Sequence, residues 1–308
     1  MRLPITLLLL CAMLICIPPA GSSASSAHWS DARLVAHGMG EIDGYTYTNT
    51  AEAFDANYRR GYRLFEVDLQ LTADGFLVSR HDWQPYLYEQ LGQTPPADGR
   101  KGVPLKLQDV QRLKVHGRYH ILTFSDLLDL AQLYPDVTFI MDTKDTDPKA
   151  VREQFGAMLK AAGEEKDLLR QFVPQFYNQA MYAVIDEVYP FPSYIYTLYM
   201  SKDTAEEVLR FVGMNRRIDA VTMPESLAAA SFLQQLEQED VQTFIHTLND
   251  TDDMKRYMRR GAHGFYTDRV NENELAAAEN EKEPYWSVIG EALKQWYASP
   301  FTFRQLLQ

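Results

Sequence analysis

Between Arg63 and Trp83 the chain reads RLFEVDLQLTADGFLVSRHDW, which sets Glu66, Asp68 and His81 around a tight turn in an apolar run. Side chains alternate along a strand, so Glu66 and Asp68 share one face while Phe65, Val67 and Leu69 share the other. Burying unpaired carboxylates costs several kcal/mol or forces their protonation, and a cation bound between them relieves both penalties. Asp142-Thr143-Lys144 repeats the pattern with an acid and a base on one face. Three inward carboxylates repel one another unless a cation intervenes. Oxygen donors without Cys favour a hard divalent ion, Mg²⁺ or Ca²⁺. Such an ion polarises a phosphoryl oxygen and lowers the pKa of a bound water or hydroxyl. His37 and His81 could then serve as a general base and a general acid on opposite sides of a phosphorus atom, with Lys144 neutralising the phosphate. The set suits phosphodiester cleavage.

These residues fall at the ends of strand-like segments that alternate with helical ones. The strands are expected at Arg33 to His37, Leu64 to Leu69, Phe76 to Arg80, Val137 to Asp142, Phe172 to Phe176, Tyr194 to Leu198, Ala220 to Met223, Val241 to His246 and Gly264 to Thr267. Helices are expected at Thr50 to Arg60, Ser125 to Leu133, Pro148 to Ala162, Ala180 to Val188, Thr204 to Val212, Ser226 to Gln238 and Asp252 to Arg260. A β-α repeat of this length predicts an α/β fold of the TIM (β/α)8 barrel type, whose active site lies at the C-terminal strand ends. The ninth strand candidate is accommodated if the Thr72-Ala73-Asp74-Gly75 turn closes a hairpin. A doubly wound sheet is the alternative, but no GxGxxG follows the first strand. Residues 83 to 120, with their PP, DG and KG turns, read as an excursion after the third strand that shapes a pocket. The aromatic residues of Phe172 to Tyr199 read as packing between barrel and helices, and the aromatic segment from Pro284 as a helix on the barrel.

The first 27 residues hold one Arg and an apolar run from Ile5 to Ile17, followed by small residues near Ala24 and Ala27. This is a signal-peptide pattern, too short for a comfortable span, and it predicts a secreted or periplasmic domain over 28–308. An uncleaved anchor is the alternative. Ile15 before Cys16 does not suit a lipoprotein signal. Both cysteines, Cys11 and Cys16, lie in the leader, which excludes disulfides, zinc-thiolate sites and cysteine nucleophiles from the mature chain. Without the leader the chain keeps 29 bases against 42 acids, a net charge of −13. That balance argues against nucleic acid as a partner while leaving room for a small phosphodiester in a pocket made locally positive.

The chain resembles the glycerophosphodiester phosphodiesterases, TIM barrels related to phosphatidylinositol-specific phospholipase C. The likeness rests on His37-Gly38, Asn49-Thr50-Ala51-Glu52-Ala53-Phe54 leading to Gly61, EVDLQLTADGFLVSRHDW over Glu66 to Trp83, Asp142-Thr143-Lys144, Thr247-Leu248-Asn249 and Gly264-Phe265-Tyr266-Thr267-Asp268. It implies that His37 and His81 are the acid/base pair, that Glu66, Asp68 and Asp142 hold one divalent cation, and that Lys144 contacts phosphate. The implied reaction releases sn-glycerol 3-phosphate and an alcohol, with a glycerol hydroxyl able to form a cyclic intermediate that water opens. A phospholipase-type lyase that stops at the cyclic phosphate, and a non-catalytic phospho-ligand-binding barrel, are the rival functions. A glycoside hydrolase fits poorly, because Glu66 and Asp68 sit two residues apart on one strand and cannot flank a sugar bond.

Three departures stand out. Gly38 follows His37 where the family usually has Arg, Tyr47-Thr48-Asn49-Thr50 replaces Pro-Glu-Asn-Thr, and His246 stands for the Trp usual near the eighth strand. Arg80 alternates away from His81 and is expected in a surface or inter-helix salt bridge. His116, His120 and His263 read as structural. Asn249-Asp250-Thr251 is a glycosylation sequon in a eukaryotic host.

Overall fold

The computed structural model describes residues 28–280 apart from 97, 98 and 100, so the expected leader and the aromatic segment from Pro284 lie outside the described residues. In chain order the strands are β1 (Leu34–Ala36), β2 (Leu64–Leu71), β3 (Leu77–Ser79), β4 (Lys114–Val115), β5 (Tyr119–His120), β6 (Thr138–Asp142), β7 (Phe172–Phe176), β8 (Tyr194–Thr197), β9 (Ile218–Pro224), β10 (Gln242–His246) and β11 (Gly264–Thr267). Eight of them pair in parallel in the order β1-β2-β6-β7-β8-β9-β10-β11, and β11 returns to β1, which closes the barrel. The doubly wound alternative is excluded by that closure. The extra candidate is β3, which folds back antiparallel on β2 with Leu69 opposite Ser79 and Leu71 opposite Leu77.

The helices form where apolar periodicity meets a capping residue. Thr50 accepts a hydrogen bond from Ala53 N–H to start the helix Ala51–Arg59, and Thr123 with Asp126 forms a reciprocal cap for Phe124–Leu133. The helix expected from Ser226 begins instead at Ala230, because Glu225–Leu227 turns once as a 3-10 element that ends on the Ala228 N–H to Glu225 C=O bond. The excursion is more ordered than its composition implies. It holds the short helices Pro85–Gln90 and Leu107–Val110 and the hairpin β4–β5, packed on Val78, Trp83, Tyr88 and Val110.

Side-chain alternation then sorts the barrel into two apolar layers. Phe65, Val67, Phe139, Met141, Phe172 and Phe176 face outward and pack beneath the helices. Val35, Leu64, Ile140, Val173, Ile195, Ala220, Phe244 and Tyr266, one from each barrel strand, face inward and plug the lumen. Burying each of the Val, Leu, Ile, Met and Phe side chains among these stabilises the fold by about 1.5–3 kcal/mol. The plug also sets the floor of whatever lies above it.

Candidate active site

Two residues beyond each plug residue, the same inward face presents His37, Glu66, Asp142, Gln175, Thr197, Thr222, His246 and Asp268. Six of these line one solvent-open cavity at the C-terminal mouth, together with Tyr47, His81, Lys144, Tyr177, Tyr199, Thr247 and Tyr266. The barrel's period of two thus turns a ring of apolar residues into a ring of functional ones a single step higher.

Glu66, Asp68 and Asp142 are buried, and each offers an oxygen within 4.8 Å of the others. The parallel register sets Glu66 beside Ile140 and Asp68 beside Asp142. Each carboxylate is held from outside the cluster. Gly38 N–H donates to Glu66 Oε2 at 2.6 Å, Asn49 Nδ2 donates to Asp68 Oδ2 at 2.9 Å, and Tyr177 OH donates to Asp142 Oδ1 at 2.6 Å. Lys144 Nζ meets Asp68 Oδ1 at 2.9 Å and also pairs with Asp142 Oδ2. Asp68 Oδ1 accepts no hydrogen bond beyond that ion pair.

Burial, then the charge of Asp68, pushes the Glu66 carboxyl up to about 8. Burial works against the Asp68 carboxylate as well, but Lys144 and the nearby histidines outweigh it and hold Asp68 below the usual carboxylate range. When all three acids ionise, the ammonium leaves a residual charge of two negatives, which a divalent cation balances. The all-oxygen donor set, with Asp68 Oδ1 met only by the Lys144 ammonium, suits a hard ion of that charge.

His37 and His81 face the same cavity, and each is oriented by a carboxylate. His37 Nδ1 lies 2.9 Å from Asp268 Oδ1, and His81 Nδ1 lies 2.9 Å from Asp82 Oδ2. A carboxylate only accepts, so Nδ1 carries the proton in both rings and Nε2 is the nitrogen turned to the reaction. Burial opposes protonation of His37, but the Asp268 hydrogen bond and the charges of Glu66, Asp268 and Asp68 prevail and hold its pKa above the ordinary value. Tyr47 stands between the rings, edge-on to His37 at 4.5 Å and to His81 at 6.0 Å between centroids. Its hydroxyl is raised to about 12, mainly by burial, and so stays neutral.

The loop from 37 to 49 that builds this wall is conformationally demanding. Gly38 has φ +54°, and a Cβ there would lie 3.0 Å from the Tyr47 Cα, so the loop as folded favours Gly over the family's Arg. Met39, Tyr47, Asn49 and, across the mouth, Lys144 also hold left-handed conformations, at a cost of about 1–3 kcal/mol each.

The six residues singled out from the sequence, His37, Glu66, Asp68, His81, Asp142 and Lys144, therefore converge on one mouth. Others escaped that reading. Asp268, Asn49, Tyr47 and Tyr177 have direct contacts in the site, and Tyr177 and Tyr199 line the cavity where packing between barrel and helices is expected. The two-residue step above the plug would have found Asp268; Asn49 belongs to a motif the sequence displays, but nothing local gives it a role at Asp68, and nothing local marks Tyr177. His246 fills the wall beside Tyr199 and Tyr266, and burial pushes its pKa down to about 4. Asn249 is not presented for glycosylation, because its amide donates to Asp268 Oδ2 and accepts from Asp268 N–H and Thr267 Oγ1. Arg80 is not in a surface salt bridge. It is 1% exposed, its Nε donates to Asp82 C=O at 2.6 Å, and its guanidinium stacks on Trp83 and Tyr88. The packed excursion walls it off from solvent.

Comparison with known proteins agrees with this architecture. The fold matches a protein of Silicibacter pomeroyi DSS-3 provisionally named a glycerophosphoryl diester phosphodiesterase, at 20% identity and TM-score 0.66 over 82% of this chain and 95% of that one. It also matches the Thermotoga maritima glycerophosphodiester phosphodiesterase at 22% identity and TM-score 0.59, over 80% and 97% of the two chains. An Oleispira antarctica phosphodiesterase, solved with its product sn-glycerol-3-phosphate, matches at 15% identity and TM-score 0.62 over 81% and 97%. The family model of the glycerophosphoryl diester phosphodiesterases matches residues 41–272. With that match running from β2 to β11 and taking in most of the mouth, the chain belongs to the glycerophosphoryl diester phosphodiesterase family and is a phosphoric diester hydrolase.

Proposed function

We propose that this protein hydrolyses glycerophosphodiesters to sn-glycerol 3-phosphate and an alcohol, with His37 and His81 as acid and base and one divalent cation, Mg²⁺ or Ca²⁺, at Glu66, Asp68 and Asp142. The observation that carries the reading is that two carboxylate-oriented imidazoles and three ligating carboxylates open onto one cavity. When bound, the cation supplies positive charge to a phosphoryl oxygen and acidifies an attacking hydroxyl. His81 Nε2 takes the proton of that hydroxyl as its oxygen bonds to phosphorus. The bond from phosphorus to the leaving oxygen breaks, and protonated His37 donates its Nε2 proton to that oxygen. Lys144, whose ammonium borders the cavity, binds phosphate oxygen. Where the attacking hydroxyl is the substrate's own, the imidazoles exchange roles as water opens the cyclic phosphate.

The test is phosphorus NMR of the purified protein with glycerophosphocholine, with and without a chelator. Release of sn-glycerol 3-phosphate that stops on chelation and returns with Mg²⁺ or Ca²⁺ supports the proposal. A lasting cyclic phosphate would make the enzyme a lyase, and no turnover with either ion would leave a binding barrel. His37→Ala and His81→Ala should each raise the barrier by several kcal/mol in a folded protein.

We further propose that residues 28–308 act outside the cytoplasm after removal of residues 1–27. Among the described residues no helix is long and apolar enough to cross a membrane. N-terminal sequencing of the exported protein should begin near His28; an intact Met1 would indicate an anchor.

A further inference from the structure

Behind His81, on the side away from the cavity, the excursion encloses a cluster of hydrogen-bond donors that lacks acceptors. Arg80 is buried and has no carboxylate within ion-pair distance among the described residues. Its Nη1 donates to Gln93 Oε1 at 2.9 Å and its Nε to Asp82 C=O, while its Nη2 has no partner. Trp83 and Tyr88 lie against the guanidinium, with ring centroids 5.1 and 4.4 Å from its central carbon. Trp83 Nε1, Tyr88 OH and Gln93 Nε2 are likewise buried without partners. All four residues are at most 8% exposed. The nearest acid in sequence, Asp82, is already committed to His81 Nδ1, to the Gln84 amide and to the Tyr86 hydroxyl.

Four orphaned groups that can all donate, on residues that each touch one buried guanidinium or belong to it, call for an acceptor that the described residues do not supply. A water molecule would satisfy some of them, yet it would need acceptors for its own protons and would leave the guanidinium charge uncompensated. We propose that Arg80, Trp83, Tyr88 and Gln93 form a buried site for a small monovalent anion of the halide class. Through the Arg80 Nε bond to the Asp82 carbonyl, an anion bound there steadies the turn that carries His81 and Asp82. Burial depresses the Arg80 pKa, and a neighbouring anion opposes that cost. The chain's overall negative charge would repel anions from most of its surface, so selectivity rests on this local cage.

The test follows thermal unfolding of the full chain in sodium chloride, bromide and gluconate at matched ionic strength, with a bromide-soaked crystal as second measurement. Chloride and bromide should raise the unfolding temperature saturably above gluconate, and an anomalous bromide peak should touch Arg80 Nη2. Trp83→Phe and Tyr88→Phe keep the rings and remove one donor each, and each should raise the halide midpoint about tenfold or more. Equal unfolding temperatures in chloride and gluconate, an unchanged midpoint in both variants, or water or a protein carboxylate in place of bromide at Arg80 would overturn the proposal.

Discussion

Replacing Asp268 by Asn tests the electrostatic setting of His37 without changing the shape of the site. Asp268 accepts from His37 Nδ1 on one oxygen and from Asn249 Nδ2 on the other. The Asn amide keeps one oxygen and puts an NH₂ where the second stood. Asn249 cannot reverse its own amide to adapt, because its Oδ1 is held by the Thr267 hydroxyl and the residue-268 N–H. The new oxygen therefore faces Asn249 and the NH₂ faces His37 Nδ1, which must lose its proton to accept. His37 then carries its proton on Nε2 as a neutral ring, and its protonated form has no anionic partner. A hydrogen bond to a charged group is worth about 1.5–3 kcal/mol, which converts to a fall of roughly 10- to 150-fold in kcat/KM. The sign of the pH effect follows. A general acid fails as pH rises through its pKa, so removing the interaction that raises the His37 pKa moves the alkaline limb of the rate profile to lower pH. The assay is release of sn-glycerol 3-phosphate from glycerophosphocholine across the pH range, with unfolding temperature as the control. A folded Asp268→Asn enzyme with wild-type kcat/KM and an unshifted alkaline limb would refute the reasoning.

Glu66→Gln keeps an oxygen for the Gly38 N–H but removes a ligand charge, so the rise in unfolding temperature on adding Mg²⁺ or Ca²⁺ should vanish. Affinity by calorimetry should fall beyond the roughly 10- to 100-fold typical of outer-shell changes. In the metal-free wild type, Glu66 has a raised pKa, so its contribution to stability is full below its ordinary 4.5 and is lost as pH rises through about 8. Cation binding should accordingly release a proton below about pH 8 and tighten as pH rises, seen as a buffer-dependent heat; a buffer-independent heat rejects this. His246, depressed from 6.5 to about 4, stabilises the fold above 6.5 and loses that contribution as pH falls toward 4. His246→Phe should flatten the loss of unfolding temperature over that window, and an identical slope would contradict the assignment.

The barrel was legible because its elements are locally self-consistent: alternation marks β2, and the Thr72–Gly75 turn marks the hairpin. The carboxylate cluster was legible for the same reason, since parity alone puts Glu66, Asp68 and Asp142 inside. Lys144 shows where local patterns stop. The sequence suggests a phosphate contact; that the register setting Asp68 beside Asp142 also pairs the Lys144 ammonium with both carboxylates is something no local pattern marks. Asn49 and Asp268 depend on closure of the chain over 19 and 231 residues, to Asp68 and His37, which no window along the sequence contains. Arg80 misleads for a related reason. Strand alternation points it away from His81 toward solvent, and only the folding of residues 83–120 over it turns that surface into an interior.

The β2–β3 hairpin joins the two halves of the chemistry covalently. Asp68 C=O accepts from Arg80 N–H at 2.9 Å, so the strand that carries Glu66 and Asp68 is stitched to the residue before His81. The distance between ligand cluster and imidazole is therefore fixed by ladder bonds below the turn, and the turn itself bears none of that constraint. Evolution or an engineer could lengthen the Thr72–Gly75 connection, or cut and permute the chain there, while the working groups keep their spacing. Changes to ladder residues such as Leu69 or Ser79 would have no such freedom.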